Sequence, residues 1–549
     1  MAMLQLLPLL ALTIGVPQDV PAGVQDAAPP VAAPADPVAQ VDIVEMSVGD
    51  LQAAMEAGTL TSEAITRAYI ARIAEIDRQG PTLRSVIAIS PDAIAQARLL
   101  DEERAMGRVR GPLHGIPVLV KDNIETRDLP TTAGSLALAD NMTYRDAPVV
   151  THLRDAGAVV LGKTNLSEWA NIRSTNSMSG WSAVGGLVRN PYALDRTSCG
   201  SSSGSGAAVA ASLSAVAVGT ETDGSVVCPA SMNGIVGLKP TIGLVSRTHI
   251  VPISHSQDTA GPMGRSVTDV AILFSAMIGS DPADAATADA DSHRRDYAAN
   301  LSPRALQGVR IGVLRPEMSA DLTARYDEAL QQLVAAGAVL VDVVPPDHPD
   351  LDEDEFQVLL VELRADLDAY LATTPSTVRT RTLTDLIAFN EAHADAEMPY
   401  FAQEIFHMAA DTRGLDDPEY RAARERSQRM AGPEGIDVML AQAGADILVS
   451  PTYGMPWLSD PVYGDQFNGP SASTLPAVSG YPHLTVPMGL GDGLPVGLSF
   501  IGTAYSEATL LNAGYAYEQQ SKARVVPEYK PTVDAGAGID GVAAPVAAP

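Results

Sequence analysis

The alternation of apolar and polar positions predicts that the folded part of the chain opens with helices. In SVGDLQAAMEAGTLTSEAITRAYIARIAEID, at residues 47–77, apolar residues recur at every third and fourth position, which is typical of amphipathic helices. Thr61 or Ser62 is a candidate N-cap, and Glu63 then falls in the first turn, where the helix dipole favours a carboxylate. The pattern therefore predicts a helix that begins near residue 62.

Short β-rich runs then alternate with helical stretches through much of the chain. The runs are SVIAIS, IPVLV, AVVLG, AVAVGTET, GVRIGVLRP, DILVSP and HLTVPM. This alternation predicts an α/β fold, with a single large domain built on a mixed, mostly parallel central sheet that helices cover. Residues from about 281 to 434 are mainly helical in pattern and highly charged. We expect them to form a helical cap region beside the sheet.

The ends of the chain differ in composition from the rest. Residues 4–16, LQLLPLLALTIGV, are apolar but too few to span a bilayer, and they resemble the hydrophobic part of a secretory signal. No lysine or arginine precedes Arg67, so the basic start of such a signal is missing. We expect a periplasmic or secreted protein, and the alternative is a cytoplasmic one with an apolar terminus. The expected divisions are a signal peptide at 1–22, a Pro/Ala-rich linker at 23–41, the folded domain at 42–532 and a low-complexity tail at 533–549.

Size and charge exclude several classes of partner. At 549 residues the chain is long enough to bury a large core. It carries 36 Lys and Arg against 66 Asp and Glu, a net charge of −30, whereas a nucleic-acid-binding protein needs a basic surface. An anionic membrane surface would also repel it. We expect no nucleic-acid partner and no membrane span, and we expect a monomer.

The two cysteines do not form a disulfide scaffold. Cys199 and Cys228 flank one serine-rich stretch, so they are candidates for neighbours in space. The sequence favours two small buried thiols over a bond, although a bond in an oxidising compartment stays open. Without a nearby pair of histidines they make a poor zinc set, so we expect no metal.

Several long motifs between residues 115 and 265 carry a family resemblance. They are GIPVLVKDNIETRDLPTTAGS, LGKTNLSEWA, GSSSGSGAAVAASLSAVAVGTETDGSVVCPA and GIVGLKPTIGLVSR. In these motifs the chain resembles the amidase signature family, and the likeness extends more weakly to residue 502. Within that family, TSCGSSSGSGAAVAA, ETDGSVVCPASM and FNEAHADAEMPYFAQE are most similar to bacterial peptide amidases.

The resemblance implies a catalytic relay without histidine, metal or cofactor. Ser225 matches the nucleophile, Ser201 the bridging serine and Lys121 the general base. For Lys121 to accept a proton at neutral pH its ammonium form must be destabilised by burial, and the apolar lead-in IPVLV suits that requirement. The family likeness also implies an oxyanion hole from the backbone N–H groups of Thr222, Asp223, Gly224 and Ser225, and a cis peptide between Gly200 and Ser201.

Other residues near the relay carry weaker expectations. Ser202 is expected to hydrogen-bond within the relay, and Asn171 either contacts substrate or satisfies backbone groups of its loop. Trp169 is expected in the core. The aromatic cap residues are expected to pack between helices, with a role in lining a peptide groove as the alternative. They are Tyr400, Phe401 and Phe406.

The chain departs from the commoner family pattern around the nucleophile. Glu221 stands where aspartate is usual and Asp223 where glycine is usual, and both resemble the peptide amidase branch. Val227 replaces an arginine that many members have two residues after the nucleophile. The chain therefore lacks a cation that a substrate with a free carboxylate would need.

Two short motifs point to other chemistry and are rejected. GAVVLGKT at 157–164 matches a phosphate-binding loop, but its middle residues AVVL are themselves a strand. GSSSG at 200–204 matches a nucleophile elbow centred on Ser202, with His483 as candidate base, but DRTSC rather than a buried strand precedes it.

We therefore expect a hydrolase that converts a carboxamide to a carboxylic acid and ammonia, most similar to enzymes that act on C-terminally amidated peptides. The alternatives are a general aliphatic, aryl or acyl amidase, an amidotransferase component that passes ammonia on within a complex, and a binding protein without activity. The expected partner is a small-molecule or peptide amide substrate.

Overall fold

The apolar runs found in the sequence form the strands of one large mixed sheet. A computed structural model describes residues 41–533. Its strands are β1 (Val86–Ile89), β2 (Pro117–Lys121), β3 (Val159–Thr164), β4 (Trp181–Ser182), β5 (Gly186–Leu187), β6 (Val216–Glu221), β7 (Val236–Lys239), β8 (Thr259–Gly264), β9 (Arg310–Val313), β10 (Val339–Asp342), β11 (Ile447–Pro451), β12 (His483–Gly491) and β13 (Leu494–Ile501).

Helices occupy most of the remaining regular structure. They are α1 (Val48–Glu56), α2 (Ser62–Arg72), α3 (Ala93–Ala105), α4 (Pro148–Asp155), α5 (Ser203–Ala210), α6 (Val227–Met232), α7 (Val267–Met277), α8 (Ala320–Ala335), α9 (Leu351–Leu371), α10 (Leu383–Ala392), α11 (Ala394–Glu397), α12 (Glu404–Ala410), α13 (Pro418–Ala431), α14 (Asp437–Ala443), α15 (Thr474–Ser479) and α16 (Glu507–Ser521). Thr61 caps α2 and its hydroxyl accepts from Ala64 N–H, as the sequence predicts. No helix within 41–533 is long and apolar enough to cross a membrane.

The main sheet has eleven strands in the order β1-β3-β2-β6-β8-β7-β12-β13-β11-β9-β10. The described residues from Asp42 onward belong to one unit, so the prediction of a single α/β domain on a mixed sheet is confirmed. Parallel pairing is confined to β3-β2-β6 and β11-β9-β10, and the other neighbours are antiparallel. More neighbouring strands are antiparallel than the alternation of strands and helices in the sequence predicted, because antiparallel hairpins lie at the centre of the sheet. One of them joins β12 to β13 through Asp492 and Gly493.

The predicted cap region divides into two parts. Residues 310–342 add β9, α8 and β10 to one edge of the main sheet. Helices α9 to α13, from Leu351 to Ala431, form the helical part. The predicted signal peptide and nearly all of the predicted linker and tail lie outside the described residues.

A buried charge holds this cap against the rest of the domain. Arg173 is fully buried and pairs with Glu168 at 3.1 Å, and its guanidinium lies 4.3 Å from the ring centre of Phe401. Glu397 of α11 accepts a hydrogen bond of 2.7 Å from Leu136 N–H. Aromatic contacts extend the junction, and Trp169, Phe401 and Phe406 are buried there as core residues. Tyr400 lies half exposed at its edge, against Trp181.

Candidate active site

Strand β2 delivers Lys121 into the interior at its carboxyl end. All five residues of the strand are buried, and Lys121 Nζ donates to Ser201 Oγ at 2.7 Å and to Thr220 Oγ1 at 2.8 Å. Burial lowers the pKa of Lys121 to about 7, although the negative charges of Asp258 and Glu221 oppose the shift. An amine with that pKa is available as a base at neutral pH.

Ser201 lies where the chain enters α5. The Gly200–Ser201 peptide is cis, as expected. A Cβ at Gly200 would overlap Ser167 Oγ, so the tight packing of this turn requires glycine. Ser202 Oγ donates to the Thr220 carbonyl at 3.0 Å and accepts from Thr220 N–H at 3.2 Å, and it makes no hydrogen bond to Lys121. Ser202 therefore fastens the serine turn to β6.

Ser225 lies in the turn between β6 and α6. Gly224 has φ +73° and a Cβ there would overlap the Tyr453 hydroxyl, so this turn also needs glycine. Ser202 N–H donates to the Ser225 carbonyl at 3.1 Å, which brings the two serine segments into contact. The hydroxyls of Ser201 and Ser225 make no direct hydrogen bond to each other in the described chain.

The backbone around Ser225 presents unused donors. Within the described residues, the N–H groups of residues 222–225 donate to no protein acceptor. The next two N–H groups, of Val226 and Val227, donate to the Glu221 carboxylate at 2.7 and 3.0 Å. The turn thus separates donors that hold its shape from donors that are free for a ligand, which is the arrangement an oxyanion hole needs.

Three residues that the sequence did not single out support the relay. Thr220 accepts from Lys121 Nζ and from Asn123 Nδ2 at 2.9 Å. Asp258 accepts from Thr222 Oγ1 at 2.6 Å, and burial raises the pKa of Asp258 to about 6. Thr220 and Asn123 stand inside the family-like motifs and could have been found there. Nothing local to Asp258 marks it.

Asn171 lies in a loop network beside the serine turn. Its Nδ2 donates to Ser177 Oγ at 3.2 Å and to Ser179 Oγ at 3.0 Å, and its side chain packs against Gly200. It makes no hydrogen bond to the relay residues. The two bonds go to side-chain hydroxyls of its loop and not to backbone groups, and Asn171 Oδ1 has no hydrogen-bond partner. Whether Asn171 contacts substrate stays a prediction.

Cys199 and Cys228 form a disulfide, so the expectation of two free thiols was wrong. The bond joins the segment before Ser201 to the helix after Ser225. The two cysteines are 29 residues apart in the sequence and adjacent in the fold. Val227 packs with the disulfide, Tyr453 and Trp457 in an apolar cluster. An apolar surface therefore occupies the position of the missing arginine.

The two rejected motifs are also excluded by their geometry. Residues 159–164 form β3, and Lys163 pairs with Asp122 at 2.8 Å instead of ending a phosphate-binding loop. His483 bonds to Ser499 Oγ at 2.6 Å, and burial lowers the pKa of His483 to about 3. Ser202 is bonded to Thr220, so no serine–histidine pair forms.

One cluster contains residue types that often bind metals, but its side-chain atoms already pair with one another. His255, Glu362 and Asp366 approach one another between α9 and the loop before β8. Both ring nitrogens of His255 face carboxylates, with Nδ1 2.9 Å from Asp366 and Nε2 3.3 Å from Glu362. Glu362 also accepts from Ser254, Ser256 and Tyr420. The cluster is an ion-pair network that ties α9 to the site.

The family comparison decides the class of the protein. A family model described as Amidase matches residues 64–511. The chain belongs to the amidase family. It is a hydrolase that acts on amide C–N bonds, and the expectation drawn from the sequence motifs is confirmed.

Known relatives include both hydrolases and amidotransferase components. A probable amidase of Arabidopsis thaliana is 37% identical over 499 residues, which cover 89% of this chain and 92% of that protein. A glutamyl-tRNA(Gln) amidotransferase subunit from Chloroflexus aurantiacus is 35% identical over 491 residues, covering 87% and 97%.

Among solved structures, the native peptide amidase from Stenotrophomonas maltophilia is 52% identical to this amidase, with a TM-score of 0.86 over 89% of this chain and 99% of that one. A peptide amidase bound to the competitive inhibitor chymostatin gives the same identity and TM-score, with 89% and 100% covered.

Proposed function

We propose that this amidase removes the terminal carboxamide of C-terminally amidated peptides as ammonia, through a relay of Lys121, Ser201 and Ser225. The observation that carries the proposal is the buried Lys121 amine, which lies 2.7 Å from Ser201 Oγ beside a turn with free N–H groups. The 52% identity to a peptide amidase supports the substrate class.

The chemistry follows from the positions of these groups. Neutral Lys121 takes the proton of Ser201, which takes that of Ser225 as Ser225 Oγ attacks the amide carbon. The carbonyl oxygen becomes an oxyanion and receives the N–H groups of residues 222–225. When the C–N bond breaks, Ser201 returns a proton to the departing ammonia and an ester to Ser225 remains. Water then attacks that ester through the same relay, which releases the carboxylic acid and restores Ser225.

The surroundings of the nucleophile favour a neutral terminal amide. Val227 and the disulfide place apolar surface where an arginine would bind a free carboxylate. Peptide acids are poor electrophiles, because their negative charge is present before attack. We expect internal peptide bonds to survive, because the proposed reaction requires a leaving-group side that admits only ammonia or a small amine.

Ammonia release from a panel of amides tests the proposal. The panel is an N-acyl dipeptide amide, glutamine, benzamide and a fatty amide, with Ser225→Ala as the matched inactive variant. Contacts with the peptide that strengthen in the transition state should give kcat/KM at least about tenfold above benzamide, about 1.4 kcal/mol. A ratio near one would indicate a general amidase. Wild-type turnover by Ser225→Ala would overturn the relay.

The amidotransferase relatives define a second outcome of the same experiment. At 35% identity over 87% of the chain, they make glutamine the informative member of the panel. Glutamine hydrolysis that requires a copurifying partner would favour an amidotransferase component. Peptide amide hydrolysis by the isolated chain would favour the proposed function.

We also propose that the protein is exported. The apolar run at residues 4–16 and the Cys199–Cys228 bond support this, because disulfides persist in oxidising compartments. N-terminal sequencing of the protein from its native host tests it. A mature chain that starts at Met1, Ala2 or Met3 in the cytoplasmic fraction would contradict export.

A further inference from the structure

A cavity of about 450 Å³ is lined by residues that support the relay. The wall nearest the relay is formed by Asn123, Thr220 and Thr222, and the opposite walls by the loop at 247–259 and by α9. The size lies within the range of ligand pockets. The cavity and the turn that carries Ser225 share Thr222, whose N–H is one of the free donors beside Ser225.

Most charges that line the cavity are matched within it. Arg247 pairs with Asp284 at 2.5 Å. His255 Nδ1 lies 2.9 Å from Asp366, and the hydrogen bond to this carboxylate raises the pKa of His255. Asp284 and Asp366 are therefore paired, and Asp258 is the remaining carboxylate in the described lining.

Asp258 has hydrogen bonds but no ion pair. It accepts from Thr222 Oγ1 at 2.6 Å and from the N–H groups of Ile253 and Ser254 at 2.8 and 2.9 Å. Within residues 41–533, no Lys, Arg or His nitrogen lies within 4.0 Å of its carboxylate. Lys121 and Arg247 are close enough to be influenced by its charge, but Lys121 is bonded to Ser201 and Thr220 and Arg247 is paired with Asp284.

A second acceptor in the same wall is unused. Asn123 is buried, and its Nδ2 donates to Thr220 Oγ1, which fixes the orientation of the amide. Its Oδ1 has no hydrogen-bond partner. A buried acceptor without a donor is costly, so a ligand that donates a hydrogen bond to Asn123 Oδ1 would be stabilised in this cavity.

We propose that this cavity is a subsite for a cationic side chain, an ammonium or guanidinium group, on the C-terminal residue of the amidated peptide. Such a group offers several N–H donors and one positive charge, which match the unpaired carboxylate of Asp258 and the free carbonyl of Asn123. The inference rests on the proposed function, since it names the side chain that the same site selects.

The test compares two peptide amides of nearly equal shape. We expect wild-type kcat/KM for N-acetyl-Ala-Lys-amide to exceed that for N-acetyl-Ala-norleucine-amide at least about tenfold, and Asp258→Asn to reduce the ratio to about one. Because both peptides are measured with the same variant, general damage to the relay lowers both kcat/KM values and leaves their ratio unchanged. Asp366→Asn is the matched control: it removes a carboxylate of the same cavity that already has a partner, so the preference should persist.

Each other outcome contradicts the proposal. A wild-type ratio near one, with both peptides hydrolysed, would overturn the subsite and leave the proposed function standing. Ala-norleucine-amide has a free α-amine but no lysine side chain. If it were preferred over its N-acetylated form as strongly as the lysine peptide is preferred over the norleucine peptide, the subsite would also be overturned.

Calorimetry keeps the inference testable if Asp258→Asn does not fold or if no peptide turns over. n-Butylammonium chloride should bind to wild type at least about tenfold more tightly than butanol. Equal or undetectable binding of the two probes would overturn the subsite.

Discussion

Lys121 and Asp258 are coupled by charge across the wall of the site. Burial lowers the pKa of Lys121 to about 7, and the Asp258 carboxylate opposes that shift by favouring the ammonium form. Because the relay needs the neutral amine, we expect kcat/KM to rise with pH through about 7. A pH–rate profile of the peptide amide reaction checks this, and a profile that is flat between pH 5 and 9 would contradict it.

Removal of the Asp258 charge should move the rise of kcat/KM with pH to lower pH. In Asp258→Asn the ammonium form of Lys121 loses a stabilising negative charge, so the pKa of Lys121 falls further and activity begins at a lower pH. Asp366 is not among the charges that act on the pKa of Lys121, so Asp366→Asn should leave the pH at which activity rises unchanged. A shift to higher pH in Asp258→Asn would contradict the assignment of Lys121 as the base.

The turn at Gly224 should not tolerate a side chain. Gly224→Ala places a Cβ at φ +73° and against the Tyr453 hydroxyl, so the free N–H groups beside Ser225 must move. We expect kcat to fall about 10²- to 10³-fold, the loss seen when one oxyanion donor is removed. Gly58→Ala is the control, since Gly58 has φ +69° with open space around it. It should cost about 1 kcal/mol of stability and leave kcat unchanged.

Glu221 should matter through the shape of the same turn. In Glu221→Ala the buried N–H groups of Val226 and Val227 lose their acceptor, which costs about 1–3 kcal/mol for each. We expect a lower denaturation midpoint together with a lower kcat. Glu221→Gln retains an oxygen acceptor and should recover most of both. Equal damage in the two variants would show that the charge, and not the hydrogen bonds, is what the turn needs.

The Cys199–Cys228 bond should stabilise the site. It closes a loop across a separation of 29 residues, for which the chain-entropy relation gives about 3–4 kcal/mol. A variant with both cysteines changed to serine should unfold at a correspondingly lower denaturant concentration. The chain has two cysteines, so reductant should bring wild type to the level of the variant and leave the variant unchanged. No effect of reductant on wild type would contradict the bond.

The sequence predicted the relay residues because they stand in long contiguous motifs. Lys121, Ser201 and Ser225 all lie close to one another in the fold, and the order of the motifs was enough to find them. Asp258 could not be found in this way, because its role depends on a loop that packs against Thr222 from elsewhere in the chain. The disulfide was missed for the same physical reason: two cysteines become neighbours through packing, and not through sequence distance.

Strand pairing was predicted less well than strand position. The runs IPVLV, AVAVGTET and HLTVPM are strands in the structure, but alternation with helices overstated the parallel share. The GDG sequence before β13 is typical of an antiparallel hairpin, since an Asp-Gly turn favours that pairing. Pairing across the sheet is set by contacts distant in sequence, which local periodicity does not contain.

The buried Arg173 has a consequence for how substrates come and go. Its guanidinium lies 4.3 Å from the ring centre of Phe401 in the cap, while its ion-pair partner Glu168 lies outside the cap. Moving the cap away would therefore leave the Arg173–Glu168 pair intact, remove the aromatic ring from the guanidinium and admit water to the pair. The ion pair does not by itself keep the cap closed, and the dependence of turnover on solvent viscosity measures whether the cap opens for substrate.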